Sequence, residues 1–301
     1  MLIENIVSKR ATVCSYLNRK KSGKALFVFD HGLGDFIMFF QIYEVLKKKY
    51  PNWEFNIGCH PMIQVKGLHE DIVILNKTKG KHDRPSVFKD TFKEKYDSSY
   101  IKEYDYIFVL KFPEQPMNSK LKKFQNVAKL EFGLDVDWGN WRPKIKPVKN
   151  SNMVGIHFIG NTAYSKKSLM DGGPEIVWND VKAMGYDPFE IHMNVPMLPH
   201  YCVQPIPKWM NGNTMRESGG TIIDMMNKIA ECKYFIGINS GPMWLAGEIL
   251  GWDRCIMMNK IKEYTRYFPY KLYTLNIDTA TNSVPLGSIK KALKVLNRKV
   301  N

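Results

Sequence analysis

The amino-acid sequence predicts an α/β protein of two parallel-sheet domains, and three observations predict it. Strand-length apolar runs alternate with stretches of helical periodicity along most of the chain, the grammar of a parallel sheet covered by helices. The same supersecondary unit, a buried strand running through a glycine-containing turn into a helix, occurs once in each half, at 25–49 and at 234–250. Between the halves, the stretch from Trp138 to Asn152 has two prolines, four Lys/Arg and no helical pattern, as a linker does. At 301 residues the chain is long for one domain and comfortable for two of roughly 150.

Taken in order, Ala25–Asp30 (ALFVFD) is a continuous apolar run of buried-strand length, closed by His31-Gly-Leu-Gly-Asp35 and followed by helical spacing over Phe36–Lys49. Trp53–Gly58, Asp71–Leu75 and Tyr104–Leu110 read as further strands, and Ser119–Phe132 as a helix. Residues 76–103 are polar and Lys-rich, a surface excursion or flexible loop. Beyond the linker, strands are expected at Met153–Phe158, Pro188–Met193 and Tyr234–Ile238, and helices at Glu175–Met184, Thr221–Glu231 and Met243–Leu250. Leu286–Lys299 is a basic amphipathic helix. The N-terminus can form another, because Leu2, Ile3, Ile6, Val7, Val13, Tyr16 and Leu17 fall near one stripe; it either packs on its own domain or lies on a membrane surface.

Composition narrows the function classes. A hydrophobic fraction of 44% with 13% aromatic residues is globular, and no run approaches the ~20 apolar residues of a membrane span. Lys9, Arg10, Arg19, Lys20 and Lys21 interrupt any secretory signal core. The five cysteines are odd in number and widely spaced, which argues against a disulfide framework and for a reducing cytoplasm. Neither they nor the seven histidines show metal-ligand spacing. Against 29 acidic residues stand 44 basic ones, a net +15; split at residue 150 the halves carry +10 and +5, so the first half is the better match for an anionic partner.

Two constellations can carry chemistry. The HGLGD turn at 31–35 places glycines and free N–H groups where a helix begins, with Asp35 in its first turn. That acid is either a simple helix N-terminal carboxylate or a general base, and Asp30 competes for the second role. The turn lacks the glycine fingerprint of a dinucleotide site and the Lys of a P-loop, which weakens any nicotinamide oxidoreductase reading. In FIGINSGPMWLAGEILG (235–251), Asn239 and Ser240 stand at an N-cap with Gly241 and Pro242 in the first turn, a geometry that grips phosphate and that an ordinary capped helix also explains. Asp135-Val-Asp137 spells a metal-binding DxD but sits before the linker, where surface acids are expected. His31 and His157 either line a cleft or are ordinary core histidines.

Together these stretches resemble the heptosyltransferase-type nucleotide-sugar glycosyltransferases. The similarity runs through the strand, GLGD turn and helix of the first half, the loop in VGIHFIGNTAYSKKS (154–168), Thr221-x-x-Asp224, and the 235–251 motif, where Ser240, Gly241, Pro242, Met243, Leu245 and Ala246 match. Asn239 and Trp244 depart from the usual Asp and His of the family. The resemblance implies a GT-B-like fold, two Rossmann-like domains facing a central cleft. Residues 1–147 would bind the acceptor, 148–280 the donor, and the helix in 281–301 would pack back on the first domain. It implies a metal-independent, inverting glycosyltransferase with Asp35 as catalytic base and no cofactor beyond its nucleotide-diphosphate sugar. Thr162, Lys166, Lys167, Asp224, Asn239, Ser240, Gly241, Pro242 and Met243 would hold the donor, and His31, Gly32 and Gly34 would line the acceptor side. The anionic acceptor would be a lipid-linked saccharide, with peripheral association at the inner membrane face. Two readings stand beside this one: a phage-type transferase acting on a modified DNA base, and a catalytically silent sugar- or nucleotide-binding protein, which the changes at Asn239 and Trp244 motivate.

Overall fold

Ala25, Leu26, Phe27 and Val28 are all buried, so this run can only be a central strand covered on both faces. In the computed structural model it is one, in the first of two units, Met1–Trp141 and Arg142–Asn301. The structure describes residues 1–4, 11–60, 65–76, 92, 96–110, 123–160, 169, 172–192, 206–216, 220–259, 273–277 and 284–300.

In the first unit the elements are β1 (Leu2–Glu4), α1 (Val13–Leu17), β2 (Gly23–Val28), α2 (Leu33–Lys49), β3 (Trp53–Cys59), β4 (Ile72–Ile74), α3 (Tyr100–Glu103), β5 (Tyr106–Val109) and α4 (Lys123–Val127), which runs on as a wider π turn over Ala128–Phe132. The strands form one sheet in the order β1-β5-β2-β3-β4, all parallel. Its core is aromatic: Phe27 stacks on Phe108 at 5.4 Å and Phe29 on Phe39 at 4.8 Å.

The second unit holds β6 (Met153–His157), α5 (Gly173–Ala183), β7 (Asp187–Glu190), α6 (Ile222–Ala230), β8 (Tyr234–Ile238), α7 (Gly241–Leu250), β9 (Cys255–Asn259), β10 (Tyr273–Asn276) and α8 (Ser288–Val300). Its sheet runs β10-β9-β8-β6-β7, again parallel throughout.

Several expectations are corrected. Residues 2–4 form an edge strand rather than the start of an amphipathic helix, since Leu2 and Ile3 pair with Ile107 and Phe108 of β5 and bury Ile3. The stretch 76–103 is not all surface: Phe92 and Tyr96 are each 1% exposed. Strands β9 and β10 were not anticipated, although CIMM is a continuous apolar run. The helix expected to return to the first domain completes the second instead. Ile289, Ala292, Leu293 and Leu296 recur at helical spacing and join the core that Trp178, Ile236 and Ile256 share, and Asn297 accepts from the hydroxyls of Tyr186 and Tyr234 at 2.9 and 2.5 Å. Helix burial follows the nearest apolar groove, and that groove belongs to its own unit.

The unit boundary also changes the charge assignment. Arg142, Lys144, Lys146 and Lys149 fall in the second unit, leaving 23 basic and 17 acidic residues in the first, a net +6, and 21 against 12 in the second, a net +9. The greater excess lies in the second unit, not the first. Among the described residues no helix is long and apolar enough to cross a membrane.

Candidate active site

Parallel sheets of this type hold ligands at the carboxyl ends of their strands, at the point where strand order reverses. In the first unit that point lies between β2 and β5, because β3 and β4 follow on one side of β2 and β5 returns to the other. The chain leaving β2 there is Phe29-Asp30-His31 and the GLGD turn. His31 is buried, with its ring 4.5 Å from that of Phe29 and Nε2 3.4 Å from the Leu110 carbonyl oxygen at the end of β5.

The two rival carboxylates are separated by this geometry. Asp30 is 6% exposed, and both of its oxygens accept from the Tyr96 hydroxyl at 2.6 Å while Oδ1 also takes the His60 N–H at 3.0 Å. Burial, and secondly the charge of Asp30, pushes the Tyr96 hydroxyl far above its ordinary range, so it stays a donor. Cys59, at the end of β3, is likewise pushed up to about 12 by burial first and Asp30 second, which removes it as a nucleophile. Asp30 is thus a buried anchor. Asp35 is only half-buried, in the first turn of α2 behind the N-cap Gly32, and its N–H donates to the Gly32 carbonyl at 3.0 Å. Gly32 is exposed, and a side chain there would lie no closer than 3.8 Å to Asp35; Gly34 is half-buried. Of the two carboxylates, Asp35 is the more exposed.

In the second unit the strand order reverses between β6 and β8. His157 ends β6 and pairs in register with Gly237; β8 continues into Asn239, Ser240 and α7. Ser240 is the N-cap but its side chain does not cap: Oγ donates to the Ile238 carbonyl at 3.3 Å. No acidic residue occupies the first turn of α7, and Pro242 stands there without an N–H. Met243 is fully buried and its N–H donates to the Ser240 carbonyl at 3.1 Å, while Asn239, Ser240, Gly241 and Pro242 are half-buried. A helix N-terminus without an acid or a side-chain cap carries partial positive charge toward an anion. Trp244 is 5% exposed and packs edge-on against Trp252 at 5.6 Å, so its bulk goes into the core.

Asp224 has a local role. Its carboxylate accepts from the N–H and hydroxyl of Thr221 at 2.7 and 2.8 Å, and Thr221 Oγ1 accepts the Asp224 N–H at 3.2 Å, a reciprocal cap of α6. Those bonds hold the Asp224 carboxyl below the usual range. Thr162, Lys166 and Lys167 lie outside the described residues. Asp135 and Asp137 are exposed on irregular chain. Among the described residues no group of three or more His, Cys, Asp or Glu side chains could hold a metal ion.

One cluster was not singled out from the sequence. Glu190, 1% exposed at the end of β7, accepts from Arg216 through two bonds, Nε at 2.8 Å and a terminal nitrogen at 2.6 Å, and from the Thr214 hydroxyl at 2.6 Å. Beside this pair, His157 and His192 are 4% and 2% exposed with near-parallel rings 6.3 Å apart. His157 Nδ1 lies 2.8 Å from the Ile191 carbonyl oxygen. Burial drives both imidazoles down to about 4, helped by His192 for His157 and by Arg216 for His192. Of this cluster only His157, at the end of β6, stands out in the sequence; His192 lies two residues beyond β7.

No protein-family model matches the sequence, and no curated protein does. Solved structures match in fold. The iron-containing dodecameric heptosyltransferase TibC of enterotoxigenic E. coli, in complex with ADP-D-beta-D-heptose, superposes with a TM-score of 0.58 at 15% identity over 94% of this chain and 78% of its own. A family 9 glycosyl transferase of Veillonella parvula gives 0.61 at 16% identity, covering 92% and 98%. E. coli ADP-heptose LPS heptosyltransferase II gives 0.60 at 12%, covering 92% and 100%. The chain thus has the α/β fold of the heptosyltransferases, with two parallel five-stranded sheets.

Proposed function

We propose that the protein is a glycosyltransferase that moves a sugar from a nucleotide-diphosphate sugar to a hydroxyl of an anionic acceptor. The observation that carries this reading is a contrast between two helix N-termini at strand-order reversals. The one in the first unit bears the half-buried carboxylate of Asp35, and the one in the second unit bears no acid and an unused cap. A base and an anion holder are what glycosyl transfer requires. Asp35 takes the proton of the acceptor hydroxyl as its oxygen attacks the anomeric carbon. The bond from that carbon to the diphosphate oxygen breaks, and its electron pair leaves with the nucleoside diphosphate. The N–H dipoles at Ser240 and Gly241 stabilise the charge that develops there. A single displacement inverts the anomeric centre. That solved proteins of this fold are heptosyltransferases, one holding ADP-heptose, supports the donor class.

The test has two stages. Thermal melts with ADP-, UDP- and GDP-sugars should show one that stabilises the protein, by about 2.7 kcal/mol at ~100 times its dissociation constant. With that donor, Asp35→Asn should lower kcat by roughly 10²–10⁴ while the thermal shift persists. A protein stabilised by no nucleotide sugar would overturn the donor assignment, and an unimpaired Asp35→Asn would leave a binding protein.

A further inference from the structure

We propose that His157 and His192 form a site for adjacent hydroxyls of a sugar ring, a deepening that rests on the donor role given above to the second unit. Three observations converge. His157 stands at the strand-order reversal where this type of sheet holds ligands, one register position from the chain that leads into Asn239. Among the described residues, His192 Nε2 is buried and has no hydrogen-bond partner; buried polar nitrogens in folded proteins are satisfied, and a ligand atom is what would satisfy this one. The ring of His157 faces that of His192 at 6.3 Å and 25°.

The ligand's chemistry follows from the ring nitrogens. A carbonyl oxygen only accepts, so His157 Nδ1 carries the proton toward Ile191 and Nε2 is an acceptor. Both imidazoles stay uncharged near neutral pH because burial holds them down to about 4. Among the described residues, the cation that acts on both rings is Arg216, and it is bonded twice to Glu190. The cluster therefore offers neither net charge nor a cation to a phosphate. It asks for a neutral group that both donates and accepts, and a ring hydroxyl is one. Two parts of a nucleotide sugar supply that chemistry, the ribose and the transferred sugar.

Calorimetric titration separates them. The best-binding nucleoside diphosphate among ADP, UDP and GDP is compared with its 2′,3′-dideoxy analogue and with the matching nucleotide sugar, on the wild type, His192→Phe and His192→Gln. If the ribose is read, the wild type prefers the ribonucleotide by roughly tenfold, as one or two hydrogen bonds allow; His192→Phe abolishes the preference and His192→Gln keeps part of it. If the transferred sugar is read, His192→Phe instead loses the gain that the attached sugar brings. Both ratios unchanged in a folded His192→Phe overturn the inference and leave the donor reading standing. No nucleoside diphosphate binding by the wild type overturns both. Should His192→Phe not fold, His157→Gln carries the same comparisons.

Discussion

A carboxylate buried without a cation reports on pH more sharply than any surface group, and Glu131 is such a residue. It is 7% exposed in the π turn after α4, one of its oxygens has no hydrogen-bond partner among the described residues, and burial pushes its pKa from 4.5 up to about 7. The folded state therefore holds a proton that the unfolded chain has released. The resulting stability is fully present below about 4.5 and is lost as pH climbs to about 7, an effect of up to about 3 kcal/mol. Glu131→Gln should gain stability over the wild type at pH 7.5 and little at pH 4.5; denaturant unfolding at both values checks it, and a constant difference would refute it. His157 and His192 act with the opposite sign. Their pKa values fall from 6.5 to about 4, so the stability they contribute is present above about 6.5 and lost as pH drops toward 4. A second prediction concerns Tyr96→Phe, which removes the hydroxyl proton shared by both oxygens of buried Asp30 and should destabilise by about 1–3 kcal/mol in the same assay. Local spacing offers Asp35 and leaves Asp30 as its rival, and the contact that anchors Asp30 comes from a tyrosine 66 residues away. Local pattern carries no such information.

Elements follow the same division between local and distant causes. Interior strands such as β8, expected and found at Tyr234–Ile238, are legible because burial on both faces forces continuous apolar runs. Edge strands need only a few residues, and β1, at three residues, left too short a pattern to outweigh a helical stripe. Helix α8 was legible as a helix, but amphipathic spacing does not say which groove receives it. Close packing between α7 and the turn after it is equally invisible in sequence. A side chain at Gly247 would come within 2.5 Å of the Trp252 indole, which explains a glycine inside a helix where alanine has the better propensity by about 1 kcal/mol. Gly247→Ala should destabilise all the same, by up to about 2 kcal/mol, because overpacking costs about 1–3. Truncating the opposing ring in Gly247→Ala/Trp252→Leu should make the Gly247 change harmless or favourable relative to Trp252→Leu alone; a double-mutant cycle in thermal melts reads this.

For the molecule as a whole, the net charge of +15 pointed to an anionic acceptor on the first domain, and the unit boundary redistributes it. Along 142–149, exposed Arg142, Lys144 and Lys146 alternate with the less exposed Pro143, Ile145 and Pro147. Lys47 is bonded to Asp71 at 2.6 Å, and Lys146 and Lys149 are exposed. Replacing Lys146 and Lys149 by Ser should therefore lower the salt needed to elute the protein from heparin more than replacing Lys47 and Lys48. Titration with duplex DNA separates the acceptor classes: affinity that falls steeply with salt supports a nucleic acid, and no binding at low salt removes it. One architectural feature reaches beyond binding. Every strand pairing between the named strands is parallel, so none can form as a hairpin and each waits for a crossover to close. Leu2 meets Ile107 only after β2, β3 and β4 have been made. Such a chain has no short-range sheet nucleus and folds late relative to its synthesis. While it waits, the unpaired edges of CIMM and ALFV are exposed to other copies. Refolding yield should accordingly fall as protein concentration rises, even where the folded state is stable.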